Sequence, residues 1–327
     1  MRRHRTAAGI LLAVGALFTS GLVGAGTADA ASPHTASGQS VPARTVSEAE
    51  QHTSRSYWTA ERMRGAPSLD LLLTPQAVKQ LRTPADSGPT TTVEPTAAPA
   101  SFPQAGAAWT GDGAVVKTSG RVFFTFQGRT ASCSGNAVTS RNASTVITAG
   151  HCVKYQGSWH TNWIFVPAYS NGSAPYGQWS ATELLTTPQW EASEDINHDV
   201  AAAVVAPLDG RTLTSVVGAQ GIQFNGGYNK PMYAFGFPAA APYDGTKLIY
   251  CSGNSSRDFL FTRDHSLGCN MTGGSSGGPW FTGFSEAAGT GLQVSVNSFG
   301  YTFLPNRMFG PYFGNEAKAL YDEAQAA

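Results

Sequence analysis

Beyond about residue 111 the chain alternates short apolar runs with polar punctuation, and the runs have strand length rather than helix length. Segments 115–117, 120–127, 132–140, 145–148, 163–169, 199–206, 232–236, 248–251, 259–262, 278–282 and 291–299 each read as a β-strand, bounded by clusters of Gly, Pro, Asn and Ser. No strand–helix alternation accompanies them. A parallel sheet is therefore not expected, and an all-β sandwich or a pair of barrels is. The texture changes at the end: over 315–327, Ala317, Leu320, Tyr321 and Ala324 fall at helical spacing and Asn315 can cap. That predicts one C-terminal helix, packed against the last barrel.

The first hundred residues follow a different pattern. Arg2, Arg3 and Arg5 precede a low-polarity run from Ala7 to Ala25, and Ala28-Asp29-Ala30 supplies small residues where a signal peptidase reads. Residues 1–30 are expected to be a signal peptide cleaved after Ala30, so that the product is secreted; a retained membrane anchor is the alternative. Residues 31–101 are polar and rich in Pro and Thr, ending in a run at 84–100 that cannot bury a core. Two helical candidates lie inside this stretch, at 48–64 with Tyr57, Trp58 and Met63, and at 74–81. A signal peptide, a small amphipathic segment and a flexible linker together suggest a propeptide, against the alternative of a permanent N-terminal extension. The globular domain then covers 102–327.

Composition agrees with this division. Charged residues make up 13% of the 327 and Gly numbers 37, which suits short strands and tight turns. Lys+Arg and Asp+Glu balance at 21 each, so there is no basic field to draw nucleic acid or an anionic membrane. The four cysteines, Cys133, Cys152, Cys251 and Cys269, are even in number in a chain read as exported, which implies two disulfides. Of the three pairings open to them, sequence neighbours suggest Cys133 with Cys152 and Cys251 with Cys269. No CxxC or regular His pair accompanies them, so no metal or cofactor is expected. The sequons at Asn142, Asn171, Asn254 and Asn270 are cheap in a Ser- and Thr-rich chain and are assigned no role.

Three local patterns carry candidate chemistry. Thr148-Ala149-Gly150-His151-Cys152 follows a β-branched strand, Asp199 opens the apolar run 200–205, and Gly274-Ser275-Ser276-Gly277-Gly278-Pro279 is a small-residue turn. Each alone could be an ordinary loop or turn. Together, in the order His, Asp, Ser, they resemble the histidine, aspartate and serine signatures of the chymotrypsin-like (trypsin-like) serine peptidases, over roughly residues 111–327. The resemblance implies two six-stranded antiparallel β-barrels, about 111–210 and 211–314, with the active site between them and the helix at 315–327. It further implies an endopeptidase acting on polypeptide substrates, and with the signal-like and propeptide-like N-terminal stretches the chain is expected to be secreted, made as a proenzyme and monomeric.

The implied roles follow the chemistry. A serine hydroxyl needs a base to accept its proton, so Ser276 would be the nucleophile, His151 the base and Asp199 the carboxylate that fixes the imidazole. Asp195 competes with Asp199, which is preferred because it abuts the apolar strand. The amides of Gly274 and Ser276 would form the oxyanion hole, and the Cys133–Cys152 bridge would brace the histidine loop.

Departures matter as well. Ser275 stands where many animal members carry the aspartate that pairs with a new N-terminus, so activation is expected to relieve a block or a folding constraint instead. Cys269 lies seven residues before Ser276, a spacing closer to the bacterial glutamyl-endopeptidase-like branch. Asn270 stands where trypsin has its carboxylate, so cleavage after Arg or Lys is not supported. Asn270, Thr272, Asn297, Ser298, Phe299 and Gly300 are the candidate substrate-binding residues. The alternative reading is a secreted binding protein on the same scaffold that has lost catalysis.

Overall fold

The structure, a computed structural model, describes residues 40–70, 72–73, 88–93 and 103–327. The expected signal peptide at 1–30, the helical candidate at 74–81 and most of the run at 84–100 lie outside the described residues.

Six antiparallel strands close the first barrel. In ladder order they are Trp179–Thr186, Thr161–Pro167, Ser119–Phe126, Arg129–Ala137, Thr145–Thr148 and Ala201–Val205, and the last pairs back onto the first. Val122, Phe124, Val146, Phe165, Leu184 and Ala202 fill it and are excluded from solvent. Burying side chains of this size contributes about 1.5–3 kcal/mol for each of the larger ones.

The second barrel is laid out as two sheets over a shared core. One contains Gly221–Phe224, Thr290–Val296, Pro279–Ser285, Pro231–Gly236 and Ile249–Asn254; the other contains Ser256–Arg257, His265–Gly268, Leu304–Gly310 and Phe299–Tyr301. Met232, Ala234 and Trp280 from the first meet Leu267 and Met308 from the second. The Cys251–Cys269 disulfide ties the two sheets covalently, and Cys133–Cys152 forms the other bridge.

Some expected elements differ. The β-branched run at 115–117 lies in one short helix, Ala114–Thr118, because its leading amides are taken by the turn that follows Ser285: Ala114 N–H donates to Ala288 O and Val115 N–H to Gly289 O. Segment 259–262 is a bend. The Asp258 carboxylate accepts from the amides of Leu260, Phe261 and Thr262, which curls the backbone and leaves Phe259 exposed. The C-terminal helix, Asn315–Ala324, has Gly314 rather than Asn315 at its cap. It packs mainly on the first barrel, where Leu320, Tyr321 and Ala324 join the core and Tyr321 Oη donates to Thr139 O.

The polar stretch before residue 102 contributes ordered elements. Strand Ala43–Thr45 pairs antiparallel with Glu183–Leu185, helix Glu48–Tyr57 starts at Ser47, and helix Ala60–Gly65 starts at Thr59. The single helix expected at 48–64 is thus broken at Trp58-Thr59. Both caps accept hydrogen bonds from backbone amides, Ser47 from Glu50 and Thr59 from Arg62. Trp58 explains the break: its ring is buried against Phe123 and its Nε1 donates to Asn162 O at 2.6 Å. Thr91–Val93 and Gln104–Ala108 add edge strands to the second barrel.

Candidate active site

His151 sits on a single tight turn, Gly150–Cys152, just past strand Thr145–Thr148. The turn is fixed covalently, because Cys152 is bridged to Cys133 on the adjacent strand Arg129–Ala137. Gly150 has a steric reason to be glycine: a Cβ there would meet the Trp190 ring at 2.8 Å and the Asp199 Oδ1 at 3.0 Å. The loop therefore presses directly on the carboxylate.

Asp199 is fully buried and accepts from three donors. The His151 backbone N–H reaches Oδ1 at 2.8 Å, His151 Nδ1 reaches Oδ2 at 2.8 Å, and the Ser298 hydroxyl donates to Oδ2. An ionised carboxylate in a dry site is tolerable only when its lone pairs are met in this way. Holding the proton on Nδ1 leaves Nε2 as the acceptor, and that atom is buried without a hydrogen-bond partner in the structure. Asp195, the competing carboxylate, turns away; its Oδ1 accepts from Asn197 N–H and Nδ2–H.

Ser276 is tied to the histidine loop and its neighbouring strand through its backbone, and its hydroxyl makes no hydrogen bond to His151 Nε2. Its carbonyl oxygen accepts from Ser134 N–H at 2.7 Å and is 3.8 Å from the Cys152 sulfur. Gly277, next to it, has φ of +80° and no room for a Cβ beside the Thr148 hydroxyl. Gly274, two residues before, has φ of +91°, and its carbonyl accepts from Ser134 Oγ at 2.8 Å. That hydroxyl also accepts from Phe237 N–H, so one side chain of the first barrel braces the serine turn of the second. Ser275 is buried, its hydroxyl bonded to Thr272 O at 2.7 Å.

A cleft of about 340 Å³ opens at Ser276, with Asn270, Thr272, Ser298, Phe299 and Gly300 on its walls. Asn297 is the exception among the candidate substrate-binding residues. Its Nδ2 donates to Phe235 O and Ser275 O while its Oδ1 accepts from Trp280 Nε1, so the amide is fully occupied behind the serine turn. Sequence reasoning also passed over Ser134 and His160. His160 bonds through Nε2 to His151 O at 2.8 Å and stacks on Phe124 at 4.2 Å. Burial pushes its imidazole down to about 3, so the ring stays neutral and donates to that carbonyl. Neither residue belongs to a local motif; only three-dimensional proximity reveals them.

A buried His–Asp pair on a closed antiparallel barrel, with a serine in a small-residue turn tied to the same loop, is compatible with a serine hydrolase. Comparison with known proteins narrows the class. The protease Anisep from Arthrobacter nicotinovorans is 44% identical with a TM-score of 0.63, over 68% of this chain and 100% of that one. A thermostable serine protease, AL20, from an extremophilic microorganism is 43% identical with a TM-score of 0.62, over 65% and 99%. The chain belongs to the chymotrypsin-like serine protease family. A Glu endopeptidase, 16% identical with a TM-score of 0.54 over 72% and 100%, shares the fold. No family model matches.

Among curated proteins the chain is 27% identical over 188 residues to the extracellular metalloprotease of Bacillus subtilis (strain 168), and the match spans 56% of each. It thus covers about half the length of that relative. Among the described residues the one cluster of metal-ligating type is Cys133, His151 and Cys152, and both sulfurs are consumed in a disulfide. Without thiolates these residues do not fit a metal ion.

Proposed function

We propose that the chain is a secreted serine endopeptidase, made as a proenzyme, with Ser276 as nucleophile, His151 as general base and Asp199 as the orienting carboxylate. The observation that carries this reading is the buried His151–Asp199 contact, which leaves Nε2 as an unpartnered acceptor on a loop whose Cys152 sulfur lies 3.8 Å from the Ser276 carbonyl oxygen. Ser276 Oγ bonds to the carbonyl carbon of a peptide while its proton passes to Nε2. The amides of Gly274 and Ser276 receive the oxyanion, and each such donor is worth about a hundredfold to a thousandfold in turnover. Collapse breaks the C–N bond, the amine leaves with the proton from His151, and water repeats the sequence on the acyl-enzyme. Secretion is supported by the signal-like first thirty residues, the two disulfides and the extracellular relative. Among the described residues no helix is long and apolar enough to cross a membrane.

Asn270, Thr272, Phe299 and Gly300 are proposed to bind the substrate. Arg307 is the one charged residue of the 102–327 domain on the cleft wall, so nothing there selects a basic side chain. Covalent labelling by a fluorophosphonate tests the assignment. The processed protein should be captured at Ser276, with capture abolished in Ser276→Ala and strongly slowed in His151→Ala. Absence of capture by processed wild type would refute it.

A further inference from the structure

We propose that the leader segment Ser68–Asp70 with Leu72–Leu73 is a built-in inhibitor, which lies in the substrate cleft and sets the Asp70 carboxylate in the place of the oxyanion. The inference rests on the catalytic reading of Ser276 and gives a physical form to the block that activation must relieve.

Three contacts define the path. On entry the backbone is clamped to the first barrel, with Ser132 N–H donating to Pro67 O at 2.8 Å and Leu69 N–H to Ser132 O at 3.1 Å. On exit Leu72 and Leu73 add a parallel strand to the edge of Phe299–Tyr301, opposite Gly300 and Tyr301. Between these clamps Asp70 enters the same cleft as Ser276. Its carboxylate lies so close to Gly273 that a Cβ there would collide with it, and it takes a hydrogen bond from the Gly274 backbone. Desolvation in the cleft raises this carboxyl above the usual range, while neighbouring His151 and the bonds from Ser68 and Gly274 pull it down.

The occupant suits inhibition for a chemical reason. An oxyanion site favours negative oxygen, and a carboxylate supplies that without offering an activated carbonyl carbon or an amine to expel. It resembles the acid product of hydrolysis, so Ser276 meets an end state and not a substrate. The Leu72–Leu73 strand meanwhile takes the sheet edge at Gly300 that an extended peptide would use for strand addition. Tethering strengthens the effect. The leader is docked by Trp58 and Met63, both buried, so the cleft sees a high local concentration of its own inhibitor.

The test is the rate of fluorophosphonate labelling on the full chain, read by intact mass so that only unprocessed molecules are counted. The unprocessed wild type should label at least about tenfold more slowly than the processed protein. Asp70→Ala should recover roughly ten- to a hundredfold of that rate, the range expected for losing a charged hydrogen bond, and Asp70→Asn part of it. Glu61→Ala, on the exposed second leader helix, should change nothing. Unprocessed wild type labelling as fast as processed protein would overturn the proposal, as would both Asp70 variants staying as slow as wild type. Should Asp70→Ala melt well below wild type, the near-isosteric Asp70→Asn decides. Failure of processed protein to label would instead remove the catalytic reading itself, and the inhibitor with it.

Discussion

Three donors converge on the Asp199 carboxylate, and Ser298 supplies the one that does not come from His151. Ser298→Ala should therefore loosen the imidazole without touching the peptide bond. We expect kcat to fall roughly ten- to a hundredfold, the scale of one hydrogen bond to a buried charge, with KM little changed; a raised KM at unchanged kcat would point to a substrate contact instead. Gly150→Ala forces a methyl against Trp190 and Asp199 and should destabilise the fold by about 1–3 kcal/mol, measurable by urea denaturation. Two histidines outside the pair are expected to weaken the fold in acid. Burial holds both His160 and His265 down to about 3, against an ordinary 6.5, so between those values the unfolded chain binds protons that the folded chain refuses. Stability is intact above about 6.5 and falls on acidification, on the order of 2 kcal/mol per histidine at pH 5. Melting of a Ser276→Ala protein at pH 7.5 and pH 5 should show the loss, and His160→Gln with His265→Gln should flatten it; an unaltered acid limb in that variant would exclude these two groups.

At the scale of elements, the strands visible in the sequence are those whose apolar run is unbroken. Segments 120–127, 145–148 and 163–169 correspond closely to Ser119–Phe126, Thr145–Thr148 and Thr161–Pro167. Trp179–Thr186 shows no alternation to read, because Trp179, Ser180 and Ala181, and again Leu184, Leu185 and Thr186, are buried consecutively on either side of a bulge between Ala181 and Glu183. Leu304–Gly310 was hidden by the exposed Pro305 and Asn306 in its first half, which read as a turn. The candidate site was more legible than the fold around it, since His151, Asp199 and Ser276 each sit in a short motif. What supports them, Ser134 and His160, acts through hydrogen bonds between distant segments that no local pattern encodes. The leader helices show the same limit, because their docking depends on Trp58 finding Phe123. Trp58→Ala should cost the unprocessed chain about 3–5 kcal/mol and leave the processed one unaltered, a contrast readable by calorimetry in the Ser276→Ala background.

For the whole molecule, two disulfides each close a loop of modest length, with separations of 19 and 18 residues. Replacing Cys251 and Cys269 together by Ala should remove about 3 kcal/mol and loosen the contact between the two sheets of the second barrel, which hydrogen exchange on Leu304–Gly310 would report. The leader strand Ala43–Thr45 has a different consequence. It pairs with Glu183–Leu185 alongside the barrel's own partner Ala201–Val205, completing one stretch of ladder with material that processing would remove. Once it leaves, the barrel keeps a bare edge the length of a tripeptide, bordered by Leu184 and Leu185. Such an edge invites any extended chain to pair with it, so maturation would exchange a protected surface for an adhesive one, and concentrated mature protein should be the more prone to self-association.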